Sequence, residues 1–419
     1  MADVIGVVVE YNPFHNGHLH HLEKAREKVP GAYILGVMSG NWTQRGEPAL
    51  MNKWARTEAA LKAGADIILE LPVVFAVQSA EGFARGAVKT LDATGIVNYI
   101  CFGSEAGELE PLQETARYLE AEPPQFKIEL QSALKRGLSY PAALQYSLQA
   151  VSLSEKTMPL SPKVLDIIPN PNNILAIEYL KALQKVNSDI TPFTIKRRGA
   201  GFHDLKAAGD IASATGIRAA ISKNDFKMVK KTVPKVSYEI ILNEIAEGRA
   251  PVFQENFAEI ILSLLRRSSA DSMAKLPDVS EGMESRLKKA ADSPNISNLL
   301  KKLKTRRYTR TRLQRILVYL LLSLNKKILN RFNIAGPSYL RVLGFSNRGK
   351  ELLPLIKAKG LLPIVTRPAA YLKSSLAPQD GKQMILYDIL ATDIYVMGYP
   401  LSNQRYGGDD FRKPVIKYE

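Results

Sequence analysis

The β-branched run Val4–Val9 leads directly into the polar stretch Glu10-Tyr11-Asn12-Pro13-Phe14-His15-Asn16-Gly17-His18. A short apolar run of this kind predicts a strand that is buried on both faces, and helical patterning follows over residues 18–28. The polar stretch therefore joins a strand to a helix N-terminus, where free N–H groups and the positive end of the helix dipole suit a phosphate group. Gly17 lets the backbone approach a ligand closely. We predict a phosphate-binding turn at this position.

Strands and helices continue to alternate through the first half of the chain. Further strands are expected at residues 33–38, 67–71, 97–102 and 191–196, and helices between them at residues 52–63 and 79–93. This order predicts a parallel sheet with helices on both faces, in which ligands bind beyond the carboxyl ends of the strands. We expect a Rossmann-like α/β domain over residues 1–223 that contains the phosphate-binding turn.

Two regions follow the predicted α/β domain. Residues 224–330 have helical patterning and become increasingly basic, so we expect a basic helical region there. Residues 331–419 alternate again between strand-like and helix-like runs, which predicts a small C-terminal α/β subdomain. A chain of 419 residues, of which 46% are hydrophobic, has enough apolar material for two or three such units.

The net charge of the chain is +16, and its pI is near 9.6. This balance favours a polyanionic partner, such as nucleic acid, an anionic membrane or a large phosphate ligand. A basic protein without such a partner would have the same composition. The distribution of charge along the chain has to distinguish these alternatives.

Targeting and redox features of the sequence are few. The single cysteine, Cys101, excludes an internal disulfide framework and a zinc site built from cysteines, and we expect it to be a small buried residue. The N-terminal apolar run is too short for a signal peptide. The most apolar later segment, residues 316–324, is too short for a membrane span of about 20 residues. We therefore expect a soluble, cytoplasmic protein.

Four of the five histidines lie within seven residues: His15, His18, His20 and His21. At a strand-to-helix turn, His15 and His18 are placed to donate hydrogen bonds to a phosphate and to stabilise the charge that develops during in-line displacement, so both are candidate catalytic residues. A transition-metal site is the alternative, but no acidic ligand lies one turn away in the loop, and we expect no metal site. His20 and His21 are expected to lie on a helix face and to make a surface contact.

A second candidate phosphate site lies near the end of the predicted α/β domain, at Ser213-Ala214-Thr215-Gly216-Ile217-Arg218. Its Ser-x-Thr-x-x-Arg spacing is similar to the phosphate motif of nucleotidyltransferases, in which groups at a helix start hold the β- and γ-phosphates and an arginine one turn later neutralises them. Ala214 removes one possible hydroxyl, so we expect Ser213, Thr215 and Arg218 to make these contacts. An ordinary helix N-cap at Ser213 is the alternative.

Several longer segments carry a more specific resemblance. The most distinctive is Met38-Ser39-Gly40-Asn41-Trp42-Thr43-Gln44-Arg45-Gly46-Glu47-Pro48-Ala49. The others are residues 9–18, 53–57, 102–105, 171–175 and 307–313. Together these segments, which are spread in order over most of the chain, resemble the tRNA(Met) cytidine acetate ligase family of His-x-Gly-His nucleotidyltransferases.

The resemblance implies an activity and a set of ligands. Family members use ATP to adenylate acetate, with release of pyrophosphate. They then transfer the acetyl group to the exocyclic N4 of the wobble cytidine of elongator tRNA(Met), with release of AMP, which gives N4-acetylcytidine. ATP would be a substrate accompanied by Mg²⁺, and no tightly bound cofactor, membrane or obligate protein partner is implied.

The resemblance also implies the residues that contact ATP. Those in the first loop lie within residues 9–21, and the individual candidates are Val9, Glu10, Tyr11, Asn12, Pro13, Phe14, His15, Asn16, Gly17 and His18. Those further along the chain are Gly103, either Asn172 or Asn173, and either Arg197 or Arg198. Because the members of each pair are adjacent, the choice within each pair stays open. The acidic residues that are candidates to hold Mg²⁺ or an amide N–H are Glu10, Glu47 and Glu105.

The basic stretch at residues 301–315 holds eight cations and no acid: Lys301, Lys302, Lys304, Arg306, Arg307, Arg310, Arg312 and Arg315. A helix over this stretch would carry positive charge around most of its surface, which suits an RNA phosphate backbone. A solvated helix face is the alternative. A calmodulin-like or membrane-surface helix would need an apolar face along the charges, whereas the apolar run here comes afterwards. We expect these eight residues to bind tRNA.

Three functions are compatible with these motifs. They are the tRNA acetate ligase, a small-molecule nucleotidyltransferase of cofactor biosynthesis, and a non-catalytic RNA-binding protein on the same scaffold. A small-molecule nucleotidyltransferase has no use for the basic stretch, and a non-catalytic protein has no use for His15, His18 and Arg218. The acetate ligase is therefore the predicted function.

Overall fold

A computed structural model of the chain describes residues 3–152, 161–167, 171–197 and 209–419. Its strands are β1 Val4–Val9, β2 Tyr33–Ser39, β3 Ile67–Leu71, β4 Tyr99–Ser104, β5 Thr191–Lys196, β6 Leu340–Ser346, β7 Ile364–Val365 and β8 Ile416–Tyr418. All of them belong to one mostly parallel sheet with the order β5-β4-β1-β2-β3-β6-β7, and β8 pairs with β6. The predicted α/β fold class is confirmed.

Helices surround this sheet and fill the region after it. The helices of the first part are α1 Asn16–Lys28, α2 Lys53–Lys62, α3 Val73–Ala76, α4 Ala80–Asp92, α5 Glu110–Ala121, α6 Pro124–Lys135, α7 Tyr140–Ser152, α8 Pro162–Ile167, α9 Pro171–Val186 and α10 Ala214–Ser222. Those that follow are α11 Phe226–Thr232, α12 Lys235–Ala246, α13 Ala258–Arg267, α14 Ala270–Ala274, α15 Met283–Ala290, α16 Ile296–Leu303, α17 Arg310–Leu321, α18 Lys326–Ala335, α19 Leu352–Lys359, α20 Pro368–Lys373, α21 Gln379–Val396 and α22 Asp409–Arg412. Among the helices in these ranges, none combines the length and the apolar character that a membrane span requires.

The two faces of the sheet carry separate sets of buried side chains. On β1, Val4 packs in one hydrophobic core, while Ile5 and Val7 pack in the other, as the alternation of side chains along a strand requires. Helices α3, α4 and α9 contribute to the first core, and α1, α2 and α10 contribute to the second. Burial of each such side chain contributes roughly 1.5–3 kcal/mol. The helices on both faces therefore hold β1 at the centre of the molecule.

The order in which the chain adds strands reverses at β1. β2 and β3 lie on one side of β1, whereas β4 and β5 lie on the other side. The loops that leave the carboxyl ends of β1 and β4 therefore diverge, and a crevice forms between them. The predicted phosphate-binding turn lies at this crevice because it follows β1.

The C-terminal strands extend the main sheet instead of forming a sheet of their own. β6 pairs antiparallel with β3, so that Ile67 lies opposite Phe345 and Glu70 lies opposite Arg341. This pairing satisfies the N–H and C=O groups that β3 would otherwise expose at a sheet edge. Residues 331–419 thus have the predicted strands and helices, but their strands belong to the same sheet as β1. The division of the chain at residues 223 and 330 stays a prediction.

The basic stretch at residues 301–315 is not one helix. α16 ends at Leu303 and α17 begins at Arg310, and the residues between them are not helical. Thr309 is the N-cap of α17, and its side chain accepts the N–H of Arg312, which is a common way to begin a helix. A single helix with positive charge on most of its surface is therefore not formed over this stretch.

Four charged side chains form a buried network between α2, β3, β6 and α22. The ammonium group of Lys53 lies 2.8 Å from Oε1 of Glu70 and 2.7 Å from Oδ1 of Asp410. Arg341 pairs with the same two carboxylates. Removing one member of a buried ion pair is costly because the remaining charge loses its partner. The network therefore ties the C-terminal residues to the sheet.

Replacing Lys53 with methionine should lower the free energy of unfolding by about 3–5 kcal/mol, because the two buried carboxylates would then share Arg341 alone. Lys62→Met is the matched control, since Lys62 lies on the same helix and pairs with Glu58 near the surface; its effect should stay below about 1 kcal/mol. Urea unfolding of both variants measures the difference. Equally small changes in the two variants would show that the buried network does not stabilise the fold.

Candidate active site

A cavity of about 300 Å³ opens at the carboxyl ends of β1, β4 and β5 and at the N-termini of α1, α9 and α10. Its apolar lining consists mainly of Phe83, Phe102, Leu175, Tyr179 and Ile195. Its polar lining includes His15, His18, Arg197, Thr215 and Arg218. A mostly apolar cavity with a few convergent polar groups is typical of a small-molecule site.

His15 and His18 are fixed by backbone hydrogen bonds at the start of α1. Nδ1 of His15 accepts the N–H of Gly17 at 3.0 Å, and Nδ1 of His18 accepts the N–H of His15 at 3.3 Å. The two rings stack with their centroids 3.7 Å apart. Because Nδ1 is an acceptor in both rings, the proton of each neutral ring lies on Nε2. Each histidine therefore has an Nε2–H that can donate a hydrogen bond to a ligand.

Both histidine rings are neutral. Burial, together with the nearby guanidinium of Arg197, lowers the pKa of His15 to about 3. Burial also lowers the pKa of His18 well below its usual value, with smaller effects from His15 and Arg197. A neutral imidazole that donates through Nε2–H still stabilises negative charge that develops on a phosphate.

Arg218 on α10 is bound to the first loop. Its guanidinium donates to Oδ1 of Asn12 at 2.8 Å, and the same oxygen accepts the N–H of Leu50 at 2.7 Å. The guanidinium also lies 5.3 Å from the centre of the Phe253 ring, within the range of a cation–π interaction. A direct contact thus joins the two phosphate motifs, which are far apart in the sequence.

Ser213 is the N-cap of α10, and its side chain accepts the N–H of Gly216 at 3.0 Å. Ser213 and Thr215 both line the cavity. Because the remaining N–H groups of the first turn have no partner within the helix, a capped N-terminus beside a cavity still suits an anion. The N-cap and phosphate-site interpretations of this motif are therefore compatible.

The two neighbouring asparagines have different positions. Asn172 lines the cavity, and its amide donates to the carboxylate of Glu105. Asn173 is only 1% exposed. Its Oδ1 accepts the N–H of Glu105 at 2.9 Å, and its Nδ2 donates to the carbonyl of Ile167 at 2.9 Å. The geometry favours Asn172 as the ligand contact and Asn173 as the residue that holds the loop after β4.

Most residues expected to contact a nucleotide line the cavity: Val9, Glu10, Tyr11, Asn12, His15, Gly17, His18, Gly103, Asn172, Arg197, Ser213, Thr215 and Arg218. The expected residues that do not line it, among those described, are Pro13, Phe14, Asn16 and Asn173. Phe14 is fully buried in a hydrophobic core. Asn16 donates to the carbonyls of Asp210 at 2.8 Å and Lys231 at 3.2 Å. Arg198 lies outside the described residues.

The cavity also contains residues that were not named as site residues from the sequence. They include the aromatic residues Phe83, Phe102 and Tyr179, and Thr43, Gln44 and Arg45 of the loop after β2. Nε2 of His21 lies 3.3 Å from Sγ of Cys101, which is buried as expected, and burial lowers the pKa of His21 to about 4. His20 and His21 thus lie on α1 and line the cavity, which agrees with the expected helix face and with the loop at residues 9–21, and not with a contact at the outer surface. Phe102 and the loop after β2 lie in segments that carried the family resemblance, whereas Phe83 and Tyr179 had no signal in the sequence.

Each of the three candidate carboxylates accepts an N–H. Glu10 accepts a backbone N–H from the loop after β2 at 2.7 Å, and Glu105 accepts one at the start of α9 at 3.1 Å. Glu47 accepts the side-chain N–H of Gln314 at 2.8 Å. Within the described ranges, no group of three or more His, Cys, Asp or Glu side chains is arranged to hold a metal ion. Of the two roles considered for these acids, the structure shows amide binding.

The loop after β2 lies between the cavity and α17. Glu47 lines the cavity and binds Gln314 of α17, which also donates to Gln254 at 3.0 Å. Gly46 has a φ of +75°, and a side chain there would come within 2.2 Å of the backbone nitrogen of Arg315. Only glycine fits this close approach. One wall of the cavity therefore packs directly against α17.

The eight cations of the basic stretch fall into two groups. Those with partners in the helical region are Lys302, Arg307, Arg312 and Arg315. Arg315 is only 8% exposed and pairs with Asp278 at 3.1 Å, so its side chain is not available to a surface ligand. The cations that are exposed and have no ion pair among the described residues are Lys301, Lys304, Arg306 and Arg310. These four can contact an RNA backbone without losing an ion pair, and the contacts of Lys302, Arg307 and Arg312 stay predictions.

Comparisons with known proteins agree with this geometry. Residues 2–410 match the family model described as HIGH Nucleotidyl Transferase. The chain is 45% identical over 416 residues to the tRNA(Met) cytidine acetate ligase of Caldanaerobacter subterraneus subsp. tengcongensis. The matched residues cover 99% of this chain and 100% of that relative. It is 44% identical to the tRNA(Met) cytidine acetate ligase of Acetivibrio thermocellus, over 99% of both chains.

A solved structure gives the same result. The crystal structure of Thermotoga maritima TmcAL bound with alpha-thio ATP is similar to this chain with a TM-score of 0.92 and 40% identity, over 99% of both chains. The chain therefore belongs to the tRNA(Met) cytidine acetate ligase family of HIGH nucleotidyltransferases. The resemblance drawn from the sequence segments is confirmed.

Nitrogen NMR of the histidine rings should show His15 and His18 as neutral Nε2–H tautomers that do not titrate between about pH 8 and pH 5, because burial lowers both pKa values. The urea-unfolded protein is the control, in which the rings should titrate near pH ~6.5. Protonation of either ring near pH ~6 in the folded protein would contradict the assignment.

The same lowered pKa values predict that stability falls as the pH drops from about 6.5 towards about 3, because the unfolded state binds protons first.

Proposed function

We propose that the chain uses ATP to activate acetate as acetyl adenylate and transfers the acetyl group to N4 of the wobble cytidine of elongator tRNA(Met), which gives N4-acetylcytidine. The observation that carries this proposal is the cavity in which His15, His18 and Arg218 converge, in a chain whose full-length relatives are tRNA(Met) cytidine acetate ligases. The Thermotoga maritima relative was crystallised with an ATP analogue. These relatives disfavour the alternative of a small-molecule nucleotidyltransferase.

The lining of the cavity suits ATP. The apolar part of the lining, which includes Phe102 and Tyr179, suits the base. The helix N-termini of α1 and α10 suit the phosphates. Thr215 and Arg218 would contact the outer phosphates. His15 and His18 would donate to the α-phosphate.

In the first step, a carboxylate oxygen of acetate attacks the α-phosphorus of ATP. The new O–P bond forms while the bond to the β-phosphate oxygen breaks, and pyrophosphate leaves. Because acetate is already ionised, this step needs no general base, and positioning with charge stabilisation suffices. The Nε2–H groups of His15 and His18 would stabilise the negative charge on the α-phosphate oxygens.

In the second step, N4 of cytidine attacks the acyl carbon of acetyl adenylate. The new N–C bond forms, the C–O bond to AMP breaks, and the proton that N4 loses passes to solvent water. The tRNA must be held while its base reaches the cavity. Its phosphate backbone would be contacted by the exposed cations Lys301, Lys304, Arg306 and Arg310.

A Mg²⁺ ion would enter the cavity with ATP. Magnesium is usually held by substrate phosphates, water and one or two carboxylates, and Glu10 and Glu47 both line the cavity. These residues fit an ion carried mainly by the ATP phosphates, because one oxygen of each carboxylate already accepts an N–H. When bound, the ion would neutralise charge on the leaving pyrophosphate.

Acetate should support exchange of labelled pyrophosphate into ATP by the purified protein, because formation of the adenylate is reversible. Glycerol phosphate, pantetheine phosphate and nicotinate mononucleotide serve as controls for a small-molecule nucleotidyltransferase. Adding elongator tRNA(Met) should yield N4-acetylcytidine, detected by mass spectrometry of nucleosides. Exchange with one of the control acceptors and none with acetate would overturn the proposal.

Asn172→Ala should weaken ATP binding with little effect on thermal stability, because Asn172 lines the cavity. Asn173→Ala should instead lower the free energy of unfolding by about 1–3 kcal/mol, because it leaves buried backbone groups without partners. Calorimetric titration with ATP and thermal unfolding of both variants give the comparison. The assignment of the two roles fails if the effects are reversed or equal.

A further inference from the structure

A second basic surface lies on α11, outside the basic stretch. Lys227, Lys230 and Lys231 are exposed and lie at helical spacing i, i+3 and i+4, so they share one face of the helix. Lys223 is exposed in the turn that precedes the helix. The opposite face is buried through Val229 and other residues. We name these four lysines the α11 lysine face.

The positive charge of the α11 lysine face is not neutralised within the described residues. Asp225 is the one acidic residue between positions 214 and 234, and its carboxylate accepts the N–H of Met228 at 3.1 Å as the helix N-cap. Among the described residues, no lysine of this segment forms an ion pair, and the next lysine along the chain, Lys235, pairs with Glu239 at 3.9 Å. Like charges at this spacing destabilise a helix. An anionic partner would relieve this repulsion.

The α11 lysine face lies beside the mouth of the active-site cavity. Asn16, the first residue of α1, donates to the carbonyl of Lys231 at 3.2 Å and to that of Asp210 at 2.8 Å. Its two neighbours in the chain, His15 and Gly17, line the cavity. A ligand that enters the cavity past the start of α1 therefore comes near the C-terminal end of α11, which carries Lys230 and Lys231.

We propose that the α11 lysine face binds the RNA phosphates that flank the acceptor base at the mouth of the cavity. The proposal rests on the proposed function, since a base that enters the cavity leaves its own backbone outside at the mouth. The basic stretch contacts a different wall of the cavity, because α17 binds Glu47 of the loop after β2. The α11 lysine face and the basic stretch would thus bind the RNA at two different sides of the cavity.

The experiment replaces Lys223, Lys227, Lys230 and Lys231 together with glutamine. A matched control replaces four exposed lysines on the segments that follow β6 and β7, with the same change of charge: Lys350, Lys357, Lys359 and Lys373. The binding of elongator tRNA(Met) is measured at several salt concentrations for both variants and the unchanged protein. In parallel, acetate-dependent pyrophosphate exchange and the KM for ATP are measured without tRNA.

The lysine-face variant should bind tRNA roughly 10- to 100-fold more weakly at low salt. Its log–log salt slope should fall by about 0.7–0.9 for each RNA phosphate that the variant no longer neutralises. The control should bind like the unchanged protein, and both variants should retain exchange and the KM for ATP. The same assay on a variant of Lys301, Lys304, Arg306 and Arg310 measures the contribution of the basic stretch separately.

Two results would overturn the inference. One is a tRNA affinity and salt slope equal to those of the control, which would make the α11 lysine face a solvated surface. The other is a raised KM for ATP with unchanged tRNA binding, which would assign these lysines to the phosphates of ATP. Acetyl transfer by the unchanged protein tests the proposed function independently, so the two proposals can fail separately.

Discussion

The side chain of Arg56 is fully buried where β1 and β2 end and the active-site loops begin. Its guanidinium donates to the carbonyl of Glu10 at 2.6 Å and to that of Ser39 at 3.1 Å. It also donates to the carbonyls of Met51 at 3.1 Å and Gly40. Burial lowers the pKa of Arg56 to about 10, so the group stays charged at neutral pH. Because buried carbonyls without a donor are costly, this one side chain stabilises the start of both loops around the cavity.

The strands could be predicted from the sequence because each is an apolar run with clear limits. β1, β3 and β5 have the predicted limits, and the order of strands and helices placed the site at the carboxyl end of β1. No local pattern indicated that β6 would pair with β3, or that Lys53 and Asp410 would meet. Such contacts join residues that are far apart in the chain, and the fold as a whole selects them.

The histidine part of the site could also be predicted, because His15 and His18 lie close together in the chain and their chemistry follows from a strand-to-helix turn. The choice between Asn172 and Asn173 could not, since successive residues of a helix point about 100° apart and only the packing of α9 decides which one faces the cavity. For the same reason, the sequence could not show which cations of the basic stretch are buried in ion pairs. Arg315 belongs to the same basic run as its exposed neighbours, yet its partner Asp278 lies 37 residues earlier.

The contact between Glu47 and Gln314 has a thermodynamic consequence. α17 begins at one of the exposed cations of the basic stretch and carries Gln314 one turn later, against the wall of the cavity. If either ligand shifts this helix, the affinities for ATP and RNA become linked. Reciprocity then requires that bound RNA change the affinity for ATP by the same factor by which bound ATP changes the affinity for RNA. The order in which the two substrates bind would then depend on how one helix packs, in addition to the chemistry of the site.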